Sequence, residues 1–198
     1  MTGVHNSGRG LAAKLELRRN VLAEMAPAHV LECFCGPGEM WRGAWSAAAS
    51  CTGIDLTWDR ADARRRFVGD TFAIMSAIGI GAFNVFDIDA FGAPWPAFEI
   101  IARRRIFRPL ERVGLVVTDG GSLKLRWGAM GHAQARLLAD GARTIPGVEN
   151  SDFLHAATFR AACSKIGTPL RAWAASCNTG RGGGRMSYSA AVIEARGS

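Results

Sequence analysis

Lysine is nearly missing from this chain. Of its 24 basic residues only Lys14, Lys124 and Lys165 are lysine, and the other 21 are arginine. No apolar run approaches the ~20 residues that a membrane-spanning helix needs. The N-terminal residues are polar and glycine-containing, without the apolar core of a secretory signal, so the sequence reads as cytoplasmic. Cysteines number five, an odd count without the spacing of a disulfide framework, which fits a reducing compartment. No C-x-x-C or Cys/His pair is present, so no metal is expected. Cys33 and Cys35, two apart on an expected strand, read as small core residues pointing to one face. There is no internal repeat and no linker. A length of 198 residues with 48% hydrophobic and 21% charged residues excludes disorder as the default and fits a single domain over residues 1–198, with 1–10 frayed.

The charge that remains is arginine charge. A net charge of +7 and a pI near 9.8 favour a polyanionic partner, nucleic acid first. A GC-rich genome produces the same arginine excess without any phosphate contact.

The informative stretch runs from His29 to Asp55, HVLECFCGPGEMWRGAWSAAASCTGID. Val30 to Cys35 is a short apolar run bounded by glycine and predicts a buried strand. Gly36-Pro37-Gly38 makes a tight turn. Met40, Trp41, Ala44, Trp45 and Ala48 then recur at helical spacing, and Cys51 to Leu56 predicts a second buried strand with Asp55 at its end. A strand, glycine turn, helix, strand and acid in that order form the core of a nucleotide-binding α/β unit. Glycines allow a ligand close to the backbone, the helix start offers unpaired N–H groups, and a strand-end acid can accept both ribose hydroxyls. Met40 and Trp41 stand where a dinucleotide G-x-G-x-x-G needs other residues. Glu32, Gly36 and Gly38, with Phe34 in an F-x-G-x-G version, instead resemble the E/D-x-x-x-G-x-G turn of class I S-adenosylmethionine (SAM) methyltransferases. A Rossmann-like unit for another nucleotide is the rival reading. The resemblance implies that Glu32, Phe34, Gly36, Gly38, Asp55 and Leu56 bind SAM, with Glu32 orienting the turn or the methionine end.

Elsewhere, Leu11 to Met25 predicts a helix with Leu11, Leu15, Leu22 and Met25 on one stripe and Arg18 and Arg19 off it, ended by Pro27. Thr57 to Ala63 reads as a short polar helix or turn and Arg64 to Gly69 as a third strand. Asp70 after it resembles the acid that holds the adenine amino group in SAM enzymes, and it is also placed to cap a helix over Thr71 to Ala77. Phe83 to Asp89 predicts a fourth strand, Trp95 to Arg105 a helix with a basic end, and Arg112 to Asp119 a fifth strand. Residues 130–150 are mixed, and His132 and His155 are isolated and receive no catalytic role. Ser151 caps a helix over Asp152 to Ile166. Pro169 to Asn178 and Met186 to Ala195 predict an antiparallel hairpin joined by a Gly–Arg loop.

The fourth strand leads into Asp87-Ile88-Asp89-Ala90-Phe91-Gly92-Ala93-Pro94. A strand-end acid followed by an aromatic, Gly and Pro makes a rigid loop able to hold a flat ring beside a carboxylate. The carboxylate accepts N–H groups of an exocyclic amine, and the aromatic stacks its base. The loop resembles the D-x-D-P-F-G-S/T-P loop of tRNA guanine N2-dimethyltransferases, with Ala90 in place of proline. That resemblance covers residues 29–120 and implies an acceptor pocket made by Asp87, Asp89 and Phe91, with Gly92 and Pro94 shaping it. A buried structural acid bonded to backbone N–H groups is the alternative for Asp87. Lys124 and Arg126, after the fifth strand, and Arg181 and Arg185, in the hairpin loop, are candidate contacts to a nucleic-acid strand. The expectation is an α/β, Rossmann-like class I methyltransferase fold, with a seven-stranded, mostly parallel sheet, an antiparallel last strand and helices on both faces. Its expected activity is SAM-dependent methylation of an amino nitrogen on an RNA or DNA base. A small-molecule or protein acceptor, or a non-catalytic SAM-fold subunit, are the alternatives.

Overall fold

Val30 to Cys33 are fully apolar or buried because the strand they belong to has a neighbour on each side. In the computed structural model, which describes residues 8–58, 62, 64–90, 92–120, 130–139, 151–178 and 185–197, β1 (His29–Cys33) pairs in parallel with β2 (Ser50–Asp55) and with β4 (Val85–Asp89). β2 pairs in parallel with β3 (Arg65–Val68), and β4 with β5 (Arg112–Asp119). β7 (Arg185–Ala195) lies antiparallel between β5 and β6 (Gly167–Asn178), giving one seven-stranded sheet of order β3-β2-β1-β4-β5-β7-β6. Because β6 and β7 are mutually antiparallel, β6 runs in the direction of β1–β5. The predicted mostly parallel sheet with an antiparallel last strand is therefore the sheet observed.

Among the described residues six helices cover it. They are α1 (Gly8–Glu24), α2 (Glu39–Gly43), α3 (Thr71–Ala77), α4 (Trp95–Arg104), α5 (His132–Ala139) and α6 (Ser151–Ile166). Strand side chains alternate between faces, and the sheet carries two cores accordingly. Leu31, Cys33, Ile54, Phe86, Ile88, Leu115, Val117 and Ile193 pack with α4–α6. Val30, Val85, Val116, Tyr188, Ala190 and Val192 pack with α1, Met40 and Trp45. At Gly114 a Cβ would meet Val21 Cγ1 at 2.7 Å, so α1 lies close to β5 only because that position is glycine.

Four local expectations are corrected. Residues 8–10, expected to fray, form the first turn of α1. The buried face of α1 is Lys14, Leu17, Arg18 and Val21, continued by Met25 just past its end, while Leu11, Leu15 and Leu22 flank it half-buried. Arg18 is thus on the inner stripe and only Arg19 lies off it. The reason is a buried acid: Arg18 donates from Nε to Asp87 Oδ2 and from Nη2 to Asp87 Oδ1, both at 2.7 Å. The single helix expected over Met40–Ala48 stops at Gly43 and resumes as a 3-10 turn, Trp45–Ala47. Between them Ala44 turns away (φ −143, ψ −59), and Trp45 drops into the sheet to donate Nε1–H to Asp87 Oδ2 at 2.6 Å. Cys33 and Cys35 do not share a face. Cys33 meets Met75, the strand ends, and Phe34 with a positive φ of 59° turns Cys35 against Gly53 on the opposite side.

Removing one member of a buried ion pair leaves an uncompensated charge. Arg18→Met is therefore expected to destabilise the chain by about 3–5 kcal/mol, read from the urea midpoint. Arg18→Met combined with Asp87→Asn costs less than Arg18→Met alone.

Candidate active site

The five parallel strands end on one edge, and the loop after β1 crosses it. Gly36 (φ 46°) and Gly38 (φ 80°) adopt left-handed backbone, which favours glycine. Gly38 is the residue before α2. The loop is stitched down by Cys35 N–H to the Ile54 carbonyl at 3.2 Å and Gly38 N–H to the Cys35 carbonyl at 2.9 Å. Gly36 N–H donates to Asp55 Oδ2 at 2.6 Å, so the glycine turn and the β2 acid meet directly. A Cβ built on Gly36 would find no atom within 4 Å; the side of the turn it would enter is open. Phe34 packs edge-on to Phe72, ring centroids 5.5 Å apart.

Next along the rim, Leu56 is 71% exposed and Val68 is exposed too, leaving two apolar side chains beside Asp55. Gly69 N–H donates to the Asp55 carbonyl at 2.9 Å. Asp70 caps α3 as expected, Oδ1 accepting Ala73 N–H at 2.8 Å.

Asp87 and Asp89, adjacent on the α1 side of β4, have separate environments. Asp87 is fully buried, with both oxygens taken by Arg18 and one also by Trp45. The donors to its oxygens are side chains, where the alternative reading expected backbone N–H groups. Asp89, at the strand tip, pairs with Lys14 Nζ at 2.7 Å and lies 3.6 Å from Arg18 Nη2. Burial works to raise the Asp89 carboxyl, but the charges of Arg18 and Lys14 outweigh it and hold it below the ordinary carboxylate range. Lys14 Nζ also lies 5.9 Å from the Tyr188 ring centroid. The Tyr188 hydroxyl is 3.0 Å from Cys177 Sγ.

Glu32 lies deeper on β1, fully buried. Its Oε2 is ion-paired with Arg64 Nη1 and accepts from Cys51 Sγ at 3.7 Å. Its Oε1 has no hydrogen-bond partner among the described residues. Arg64 itself lies against Trp41 and Trp58, its guanidinium carbon 4.8 and 5.1 Å from their ring centroids, and is paired with Asp62 at 3.0 Å. The residues between β2 and β3 that are described thus cover the sheet with a stacked guanidinium. Burial, then the charge of Asp87, push the Glu32 carboxyl up to about 7 against the pull of Arg64 and Arg18.

Ala90 and Pro94 are buried and Gly92 is exposed. The Gly92 carbonyl accepts Gly120 N–H at 3.3 Å, tying the loop after β4 to the tip of β5. Arg185 is held at the hairpin base by Asp152 and by Ser176 Oγ at 2.9 Å. Phe91, Lys124, Arg126 and Arg181, with most of the expected turn over Thr57 to Ala63, lie outside the described residues. Sequence reasoning missed Lys14, Arg18 and Tyr188. The signal for the first two was a pair of cations four apart on the stripe that faces the sheet. His155, given no role, is buried on the other face between Asp119 Oδ2 at 3.4 Å and Ser189 Oγ at 2.9 Å. Among the described residues no group of three or more His, Cys, Asp or Glu side chains is placed to hold a metal ion, and no helix is long and apolar enough to cross a membrane.

No protein-family model matches this chain, and no curated protein matches its sequence. Solved structures do match its shape. The N-methyltransferase NodS from Bradyrhizobium japonicum WM9, in complex with S-adenosyl-L-homocysteine (SAH), superposes with a TM-score of 0.59 over 96% of this chain and 90% of that one, at 11% identity. The plantazolicin methyltransferase BamL, also with SAH, gives 0.52 over 92% and 84% at 11% identity. A geranyl diphosphate methyltransferase in complex with SAM gives 0.50 over 94% and 86% at 16% identity. The fold is the class I methyltransferase fold. Acceptors as different as those named for these enzymes share it, so the fold alone does not choose a substrate.

The Glu32 carboxyl has a folded-state pKa of about 7 against an ordinary value near 4.5, so between these pH values the native state keeps a proton that the unfolded state has lost. The stability it contributes is fully present below pH ~4.5 and disappears as pH rises through 7. The urea midpoint of the wild type is expected to fall relative to that of Glu32→Gln across this window.

Proposed function

We propose that this chain is a SAM-dependent methyltransferase acting on an amino nitrogen, with the exocyclic amine of a nucleic-acid base as the acceptor class. The observation that carries the reading is the shared rim: the open side of Gly36, the Asp55 carboxylate bonded to that turn and the Asp89 carboxylate at the next parallel tip but one stand on a single edge of the sheet. The residues fit an adenosyl group. Gly36 leaves room for it, Asp55 Oδ1 and Oδ2 accept ribose hydroxyls, and Leu56 and Val68 give the adenine an apolar edge, with Asp70 near its amino group. Glu32 supports the turn from beneath. Bound SAM supplies a sulfonium methyl group open to in-line attack.

On the acceptor side, Asp89 receives the N–H groups of the amine, orients the nitrogen lone pair and stabilises the positive charge that develops on it. The proton leaves after methyl transfer, so no strong general base is required. Support for a base as acceptor comes from the D-x-D-x-F-G-x-P loop, Asp87 to Pro94. A second reading, a small amine, is favoured by the charge of the rim. Among the described residues Glu39, Asp55, Asp70, Asp89, Asp119 and Asp152 stand on it with Lys14, Arg42 and Arg185, whereas Arg103, Arg104, Arg108, Arg112 and Arg196 stand on the opposite edge with Glu24, Glu111 and Glu194.

Radiolabelled SAM incubated with separate DNA, tRNA and rRNA pools and with small amines, followed by nucleoside analysis, tests the proposal. A labelled base with steeply salt-dependent binding supports the first reading; label only in small amines supports the second. Asp55→Ala is expected to weaken SAH binding about tenfold, ~1.4 kcal/mol, by isothermal titration. Asp89→Asn should keep SAH binding and lower methyl incorporation about a hundredfold. Absence of SAH binding to the wild type rejects the enzyme reading in favour of a non-catalytic subunit.

A further inference from the structure

Asp89 is not presented to the rim by its own strand alone. Lys14 reaches it from α1, with the two side chains 7% and 12% exposed. Asp89, Thr118 and Tyr188 are register partners across β4, β5 and β7, and the Lys14 ammonium spans that row, on the carboxylate at one end and over the phenol ring at the other. The two cations of α1 divide the two acids of β4. Arg18 takes both oxygens of Asp87 with its planar fork, while its nearest approach to Asp89 is 3.6 Å, to Oδ2, the oxygen that Lys14 does not hold, and beyond a hydrogen bond.

We propose that Lys14 is a positioning residue for methyl transfer, its ammonium clamping one oxygen of Asp89 against Tyr188 so that the other faces the acceptor amine. The proposal rests on the function inferred above. Its physical basis is the difference between the two cations. A guanidinium fork matches a carboxylate bidentately and covers both of its oxygens, as Arg18 does on Asp87; an ammonium is a point charge that holds one. In a chain whose cations are arginine at 21 of 24 positions, the cation on the acceptor-side acid is one of the three lysines. The charged and titratable groups around Asp89 are Lys14 and Arg18 of α1, Asp87 of its own strand, and Tyr188 of β7 with Cys177 of β6 behind it; Glu32 of β1 acts on the same arginine.

The test compares wild type, Lys14→Met and Lys14→Arg. It measures SAH affinity by titration calorimetry and the Asp89 carboxyl titration by NMR of aspartate labelled at Cγ. It also follows methyl incorporation from radiolabelled SAM into the DNA, tRNA, rRNA and small-amine pools across pH. For Lys14→Met the expected result is SAH affinity within about twofold of wild type, an Asp89 titration raised by about one pH unit or more, and incorporation about tenfold lower with its acid limb moved the same way. Lys14→Arg is expected to keep the wild-type Asp89 titration yet remain about tenfold slow, because the fork covers the second oxygen. A merely structural role predicts full rescue by arginine, so wild-type incorporation in Lys14→Arg overturns the proposal even if Lys14→Met does not fold. An unmoved Asp89 titration in folded Lys14→Met overturns it as well. A wild type that labels no pool overturns the enzyme reading instead, and the NMR arm then decides the clamp separately.

Discussion

The arrangement of this protein depends on one desolvated ion pair. Asp87 sits in β4, the middle strand of the seven-stranded sheet, out of reach of water, and a carboxylate there is tolerable only with full compensation. Arg18 supplies two charge-assisted bonds and Trp45 a third. Those three bonds set the rotation of α1 about its axis, end the helix after the glycine turn, and direct Lys14 at Asp89. Such a pair adds little to stability compared with an apolar replacement. What it supplies here is registry, since a helix held by a bidentate contact at one point has its neighbouring residues fixed to within a turn.

The same face of the sheet solves a second burial problem differently. Glu32 is paired with Arg64, whose guanidinium lies against two indole rings. Stacking lets arginine keep its charge at low water contact, because its faces are weakly hydrated and its edges remain free to donate. Both acids thus belong to the floor beneath the rim, and the acids that reach the rim are the ones at strand ends.

Much of this was legible in the sequence. The strand, glycine turn, helix, strand and acid order placed Gly36 and Asp55 together, and the Arg112–Asp119 strand, the Asp70 cap and the terminal hairpin follow from β-propensity, capping chemistry and turn composition. The function of α1 was not legible. Its leucines mark a plausible stripe, yet the face that packs is centred on Lys14 and Arg18, because the sheet beneath offers carboxylates and hydrophobic periodicity cannot register a buried cation. Asp87 and Asp89 look equivalent in a D-x-D motif. Only the packing of a helix nearly 70 residues earlier in the chain separates Asp87, fully buried on Arg18, from Asp89 at the strand tip. The break after Gly43 escaped for the same reason, since Trp45 leaves the helix to serve a distant partner.

One consequence follows from where β6 and β7 insert. The inner face of α1 packs on Tyr188, Ala190 and Val192 and on the flank of Trp173 and Ala175, and Arg171 of β6 reaches Glu24 at the end of α1. The earliest helix therefore has no complete seat until the final hairpin docks against β5. Helix and hairpin thus share one packing surface across most of the sequence, and contacts of such long separation raise the contact order that slows folding.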